Sequence, residues 1–241
     1  MGTVYILLAA PAAFAYALRM ARMARVVAPG LPHHVTQRGN RRQQTFFGDD
    51  DYRLYLALMA EWCGRRGVQI WAYCLMPNHV HLIAVPEAAD SLTRAIGEAH
   101  RRYTGHVNRR EDWRGHLWQE RFASFPMDEP HLLAAARYVE LNPLRARLAR
   151  KPAAYRWSSA RAHLESRDDA LVTVAPLLEI ASDWQAFLAA GLDDADHVAL
   201  RAHERTGRPL GGDVFLGTLE DRLGRPLKKR KPGRKPKAPR T

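Results

Sequence analysis

Cysteine is almost absent: Cys63 and Cys74 are the two in 241 residues. That excludes a disulfide framework and a cysteine-rich zinc site, and it fits a reduced, cytoplasmic setting. Acidic residues are also short, with 25 Asp and Glu against 37 Lys and Arg, a net charge of +12. An excess of this size points to a polyanionic partner, most simply nucleic acid, although a basic surface that serves only solubility leaves the same count. Long hydrophobic runs are missing. The alanine-rich stretch 4–18 is too short to cross a bilayer comfortably and has no basic segment ahead of it, so it makes a poor secretory signal. Met20 and Met23 are natural start sites, so residues 1–22 are expected to be a non-native or disordered extension; a membrane anchor is the competing reading. There is no internal repeat. The chain is 46% hydrophobic and 26% charged, an ordinary globular balance, and it is long enough for one or two domains.

Strand and helix signals follow one another regularly. Residues 34–38 alternate as a first strand, followed by the basic turn Gly39-Asn40-Arg41-Arg42. Asp49, Asp50 and Asp51 open a first helix, on which Tyr52, Tyr55, Leu56 and Met59 recur at helical spacing. Residues 68–76 and 79–85 read as two strands joined at Pro77-Asn78 into an antiparallel hairpin. Ser91 is the expected cap of a second helix, 91–109, with Leu92, Ile96, Ala99 and Tyr103 on one stripe. Residues 118–127 form a fourth strand. Asp128 or Glu129, with Pro130, opens a third helix that Pro143 is expected to end. This order describes an α+β fold, an antiparallel sheet covered by helices on one side, and it resembles a ferredoxin-like split βαβ arrangement. The expected domains are a core over 23–150, a helical C-terminal region over 151–224, and a disordered tail over 225–241, which is rich in Lys, Arg and Pro and has no acidic residue.

The chemistry concentrates in Met76-Pro77-Asn78-His79-Val80-His81. Residues two apart in a strand share a face, so His79 and His81 present paired imidazoles while Val80 turns into a core. Neutral imidazoles suit a divalent cation, and two surface histidines are the bland alternative. Tyr138 and Asn142, four apart on the third helix, also share a face. A cation held by His79, His81 and the Asn142 oxygen would polarise a phosphate, and the Tyr138 hydroxyl could then attack phosphorus. Each residue has a quieter reading. Tyr138 can be an ordinary half-buried tyrosine, and Asn142 a C-terminal helix cap. Tyr103, on the arginine-rich second helix, is a rival nucleophile or a base-stacking ring.

His79-Val80-His81 followed by Tyr138-Val139-Glu140-Leu141-Asn142-Pro143 resembles the single-tyrosine transposases of the HUH endonuclease superfamily, and the REP-associated tyrosine transposases in particular. The resemblance extends through Ala28-Pro29-Gly30-Leu31-Pro32-His33-His34-Val35-Thr36-Gln37-Arg38-Gly39-Asn40, Trp118-Gln119-Glu120-Arg121-Phe122, Tyr155-Arg156-Trp157-Ser158-Ser159 and Gly207-Arg208-Pro209-Leu210-Gly211. It implies cleavage and rejoining of single-stranded DNA beside a hairpin, DNA transposition, and a tyrosine linked to the 5′ phosphate. It also implies Mg2+ or Mn2+ as cofactor, His79 and His81 as ligands, Tyr138 as nucleophile and Asn142 at the third-ligand position, where glutamine is common in the wider superfamily. The histidine pair alone would equally suit zinc.

Arg38, Arg41, Arg42, Arg101, Arg102 and Arg121 are candidate phosphate contacts, together with Lys229, Arg230 and Arg234 of the tail, where Gly233-Arg234-Lys235-Pro236 resembles a minor-groove arm. The expected partner is single-stranded or hairpin DNA, with the protein as monomer or homodimer. Two other readings stand beside the transposase: a hairpin-binding protein that does not cleave, and a zinc hydrolase built on the histidine pair.

Overall fold

The computed structural model describes residues 24–228. Four strands form one antiparallel sheet: β1 (His33–Arg38), β2 (Val68–Met76), β3 (His79–Pro86) and β4 (Ala123–Pro126), in the order β2-β3-β1-β4. Strands β2 and β3 form the hairpin through Pro77-Asn78, with Met76 opposite His79. Helices α1 (Asp49–Arg65) and α2 (Ser91–Arg110) pack with Val35, Tyr73, Leu75, Val80 and Leu82 on one face. The aspartates of the first α1 turn meet the positive end of that helix.

Helices cover both faces of the sheet rather than one. Helix α3 (Glu129–Arg145) packs Leu132, Ala135, Ala136 and Val139 against Ala72, Cys74, Ile83 and Phe125 on the second face. The cause is the composition of β3: from Val80 to Pro86 every residue is buried, so neither face can be left to water. The C-terminal region completes this second layer with α4 (Ala160–Leu164), α5 (Ala175–Ile180), α6 (Trp184–Ala189) and α7 (Asp194–Thr206), while α8 (Asp213–Leu223) packs Leu219 with Val26, Ala28 and Leu227 in a cluster of its own. It also protects both sheet edges. The Leu75 N–H donates to the Trp157 carbonyl at 2.8 Å beside β2, and the Leu210 N–H donates to the Pro126 carbonyl at 2.9 Å beside β4.

Three local expectations change. The fourth strand is confined to Ala123–Pro126, because Glu120 adopts a left-handed φ of 57° and breaks the extended run. Helix α2 is capped at Asp90; Ser91 is its first residue, and its Oγ accepts from the Ala88 N–H at 3.1 Å. Helix α3 passes through Pro143 and ends at Arg145. Proline removes one backbone donor, and the helix end is closed instead by the Ala146 N–H to the Asn142 carbonyl (3.0 Å) and the Leu148 N–H to the Pro143 carbonyl (2.8 Å). Among the described residues, no helix is long and apolar enough to cross a membrane.

Candidate active site

The strand register sets the site. Thr36 lies opposite His81 and Arg38 opposite His79, so β1 and β3 present these side chains to one face, the face that α3 covers. Val80 points the other way, into the core with α1 and α2. The rings of His79 and His81 are 5.0 Å apart between centroids. Helix α3 brings Tyr138 edge-on to His81, at 5.3 Å between centroids and 87° between planes. The start of α3 is fixed by Asp128, which accepts from the His131 N–H at 3.3 Å. Its middle is fixed by Glu140, whose buried carboxylate accepts from Ser159 Oγ (2.6 Å) and Trp184 Nε1 (2.7 Å) and lies 2.7 Å from His163 Nδ1.

The expected ligands and nucleophile therefore share one face of the sheet. Tyr138 is 4% exposed, and Asn142, one turn further along α3, is buried inside the helix rather than capping it. The Asn142 Nδ2 has no hydrogen-bond partner. The rival Tyr103 lies across the sheet, fully buried, its hydroxyl donating to the Thr45 carbonyl at 2.6 Å.

Four further residues join the expected ones. His34 of β1 places Nε2 3.1 Å from His81 Nδ1, with the rings stacked at 5.3 Å. Helix α7 places Glu204 Oε1 3.9 Å from His34 Nδ1 and 3.8 Å from His81 Nδ1. From the same helix, His197 packs against Tyr138 at 5.6 Å, and the positive charge of Arg201 lies close enough to favour the ionised tyrosine. His197, Arg201 and Glu204 are spaced four and three apart, so they line one face of α7, a signal that the sequence carried.

The donor set fits a divalent cation. Burial lowers the pKa of His34 and of His79 to about 3, the charges of Arg38 and Arg201 adding to the effect at His79, and it holds His81 well below the usual range. All three imidazoles are neutral at pH 7, as ligation requires. His79 engages Nδ1 with Asn78 Oδ1 at 2.6 Å, and His81 engages Nδ1 with His34, which leaves both Nε2 atoms for other work. The Nε2 of His81 is buried without a partner. His34, His81 and Glu204 also bring one ligand atom each within 4.8 Å of one another. Burial pushes the Glu204 carboxyl up to about 7, against the pull of Arg201 and Arg38. Burial also raises Tyr138, with the Glu204 charge adding to it and the positive charge of Arg201 opposing it.

Of the candidate basic residues, Arg38 is half-buried and lies within the field of Glu204, Tyr138 and Arg201. Arg41 and Arg42 are exposed just beyond β1, in left-handed conformations held by the Asn78 side chain, which donates to the Arg42 carbonyl at 3.0 Å. Arg121 lines a groove with Glu204 and Arg205. Arg101 and Arg102 are on α2, across the sheet from Tyr138, and both donate to Glu98. Lys229, Arg230 and Arg234 lie outside the described residues.

Residues 29–142 match the family model for IS200-like transposases, a span that runs from just before β1 to Asn142. That span of the chain is similar to the IS200-like transposases. It contains His79, His81, Tyr138 and Asn142, whereas Glu204 comes from beyond it. A solved structure described as a REP-associated tyrosine transposase bound to a REP hairpin shares the fold, with a TM-score of 0.52 and 19% identity over 64% of this chain and 92% of that one. A second solved chain, from Deinococcus radiodurans R1, reaches a TM-score of 0.35 at 19% identity over 53% of this chain and 92% of its own, too little to bear on the fold. No curated protein matches the sequence.

Proposed function

We propose that this chain is a transposase that cleaves and rejoins single-stranded DNA at REP-like hairpins, with Tyr138 as nucleophile and His79, His81 and Asn142 as ligands of Mg2+ or Mn2+. The observation that carries the reading is the Tyr138 ring seated 5.3 Å from the His81 ring, on the face that also bears His79. In the reaction the Tyr138 oxygen bonds to phosphorus as the bond to the 3′ oxygen breaks. The phenol loses one proton and the leaving 3′ oxygen gains one. When bound, the cation would withdraw charge from the phosphate. Arg38 and Arg201 supply fixed positive charge around Tyr138, and Arg41, Arg42 and Arg121 are proposed to hold the strand by its phosphates. The hairpin assignment draws on the solved relative, whose description names a bound REP hairpin. A cytoplasmic location goes with this reading.

The burial of Tyr138 favours a second reading, a hairpin-binding protein that does not cleave. One experiment separates the two. The full chain is incubated with Mn2+ and 5′-extended hairpin DNA, and any covalent adduct is mapped by mass spectrometry. An adduct on Tyr138, absent from Tyr138→Phe, supports the nuclease. Tight hairpin binding without an adduct supports the second reading. Cleavage that survives Tyr138→Phe, with zinc in the purified protein, points to a metal hydrolase.

A further inference from the structure

We propose that Glu204 and His34 act as positioning residues that lock His81 in the tautomer able to bind a cation, an inference that rests on the reading of His81 as a ligand. The argument is one of counting protons. A neutral imidazole has one N–H and one lone pair. His34 Nε2 and His81 Nδ1 are 3.1 Å apart, so one donates to the other.

If His34 donates, two buried conflicts follow. While Glu204 is ionised, the lone pair on His34 Nδ1 then faces its Oε1 at 3.9 Å, two acceptors with no proton between them. The proton of His81 sits on Nε2, which is buried and has no acceptor. If His81 donates, both conflicts vanish. His34 carries its proton on Nδ1, facing the carboxylate, and His81 turns a lone pair out at Nε2, which a cation can take. His34 Nδ1 and Glu204 Oε1 are both buried without another partner, so the gap between them joins a donor and an acceptor that each need a complement. A contraction of about 1 Å brings them to hydrogen-bond distance.

The chain of control runs from the carboxylate of α7 to the β3 ligand chiefly through the β1 imidazole, 3.1 Å from His81 Nδ1, and Glu204 Oε1 also faces that nitrogen directly at 3.8 Å. Outer hydrogen bonds of this kind fix ring orientation and raise ligand basicity. Glu204 lies outside the transposase-like span 29–142, so the C-terminal region would complete a site whose other parts lie within that span.

The test has two readouts on the full chain. The first is ring 15N NMR of the metal-free protein at pH 8.5, where Glu204 is ionised, which reports which nitrogen of His81 carries the proton. The second is Mn2+ affinity, read from the free-ion electron paramagnetic resonance signal. The relay expects the His81 proton on Nδ1 in wild type and in Glu204→Gln, whose amide oxygen still accepts. It expects that preference to weaken in Glu204→Leu and to be lost in His34→Leu, with Mn2+ affinity falling about 10- to 100-fold in His34→Leu. Should His34→Leu fail to fold because His34 is fully buried, the two variants of the part-exposed Glu204 carry the test. A His81 proton on Nε2 in wild type overturns the relay. So does a wild-type tautomer and affinity in Glu204→Leu. Equal loss of Mn2+ in Glu204→Gln and Glu204→Leu overturns it too, by making Glu204 a direct ligand. Failure of the ligand reading looks different: His81→Ala keeps full Mn2+ affinity, or wild type has none, and the tautomer result alone then decides the relay.

Discussion

The two faces of the sheet bury comparable aromatic side chains to opposite ends. On the α1/α2 face, Phe46, Tyr52, Tyr55, Tyr103 and Trp118 form a ring cluster, and the polar tips of Tyr103 and Tyr55 are met by the Thr45 carbonyl at 2.6 Å and His100 Nε2 at 2.8 Å. The atoms left over there include the indole N–H groups of Trp62 and Trp118. On the α3/α7 face, the leftover atoms are mostly of another kind: nitrogens of His34 and His81, an oxygen of Glu204 and the amide nitrogen of Asn142 lie together, and His163 Nε2 is left over elsewhere on that face. Burial does not distinguish the faces, since Tyr103 and Tyr138 are both nearly inaccessible. The contrast lies in what the polar atoms still need. One face is a finished core, and the other is a set of donors and acceptors arranged around something that binds.

The sharpest way to break this comparison is to remove the same hydroxyl from each face. Tyr138→Phe should lower covalent adduct formation with hairpin DNA by at least about 1000-fold, some 4 kcal/mol of barrier. Tyr103→Phe should leave adduct formation unchanged and cost about 1–3 kcal/mol of stability, because the Thr45 carbonyl loses its donor. Quantified adducts and urea unfolding of both variants check this. If Tyr103→Phe removes the adduct while Tyr138→Phe keeps it, the faces have been assigned the wrong way round.

Much of this contrast was legible beforehand because it is local. The two-residue period of a strand puts His79 and His81 together and sends Val80 away, and the helical period puts Tyr138 and Asn142 on one face. What escaped is what only tertiary structure supplies. His34 alternates within its strand like any polar residue, and nothing near it in the chain marks it as the neighbour of His81. Glu204 lies far along the chain, and its place among the ligands depends on α7 docking over β1, β4 and α3. The helices on the second face escaped for a different reason: the continuous apolar run 82–85 marks a strand, and its place inside the sheet, between β2 and β1, is what leaves both of its sides in need of cover. The environment of Arg101 and Arg102 was open to view, since Glu98 precedes them by three and four residues.

Stability offers the next test of the two faces. Leu82→Ala, on the α1/α2 side, should cost about 2–5 kcal/mol in urea unfolding, as expected for a fully buried leucine. His81→Leu should cost less, at most about 1–3 kcal/mol, because it removes a buried ring that has an unpartnered nitrogen but leaves His34 Nε2 without its partner. It should also abolish the stabilisation that Mn2+ gives wild type, about 2.7 kcal/mol at 100 times the Kd. A loss of more than about 3 kcal/mol in metal-free His81→Leu, the cost of a core deletion, would mean that the imidazole serves the fold rather than a ligand.

Acid should strain the finished face in a predictable direction. Burial lowers His100, in the ring cluster beside Trp118, to about 3. In the unfolded chain that histidine protonates near 6.5, so between about 6.5 and 3 the unfolded state holds the extra proton. Stability is therefore full above pH 6.5 and falls as pH drops through that window, by up to about 1.4 kcal/mol per pH unit for this one residue. His100→Gln should make the pH 6.5-to-5 slope shallower by about one proton, measured by urea unfolding at intervals across the range. An unchanged slope would mean that the native state accepts a proton on His100 above pH 5.

The smallest effects should come from the surface arginines, and there the two faces should also part. Arg41 and Arg42 are exposed beside the turn that carries His79, and neither has a carboxylate partner within ion-pair distance among the described residues. Arg101 and Arg102 share Glu98 on the far helix, and Arg102 also lies 4.8 Å over the Trp62 ring. A guanidinium already paired must give up that partner to gain a phosphate, and from across the sheet it reaches a strand lying at Tyr138 only by a long detour. Removing a phosphate contact lowers the salt dependence of binding by about 0.7 for a single strand and 0.9 for a duplex stem. Arg41→Ala with Arg42→Ala should reduce that slope by one to two such contacts and weaken all hairpins alike. Arg101→Ala with Arg102→Ala should change affinity less than about twofold and leave the slope unaltered, as a surface ion pair worth at most about 1 kcal/mol would. Fluorescence anisotropy titrations at three salt concentrations decide it. A larger slope change from the α2 pair would put the DNA across the finished face.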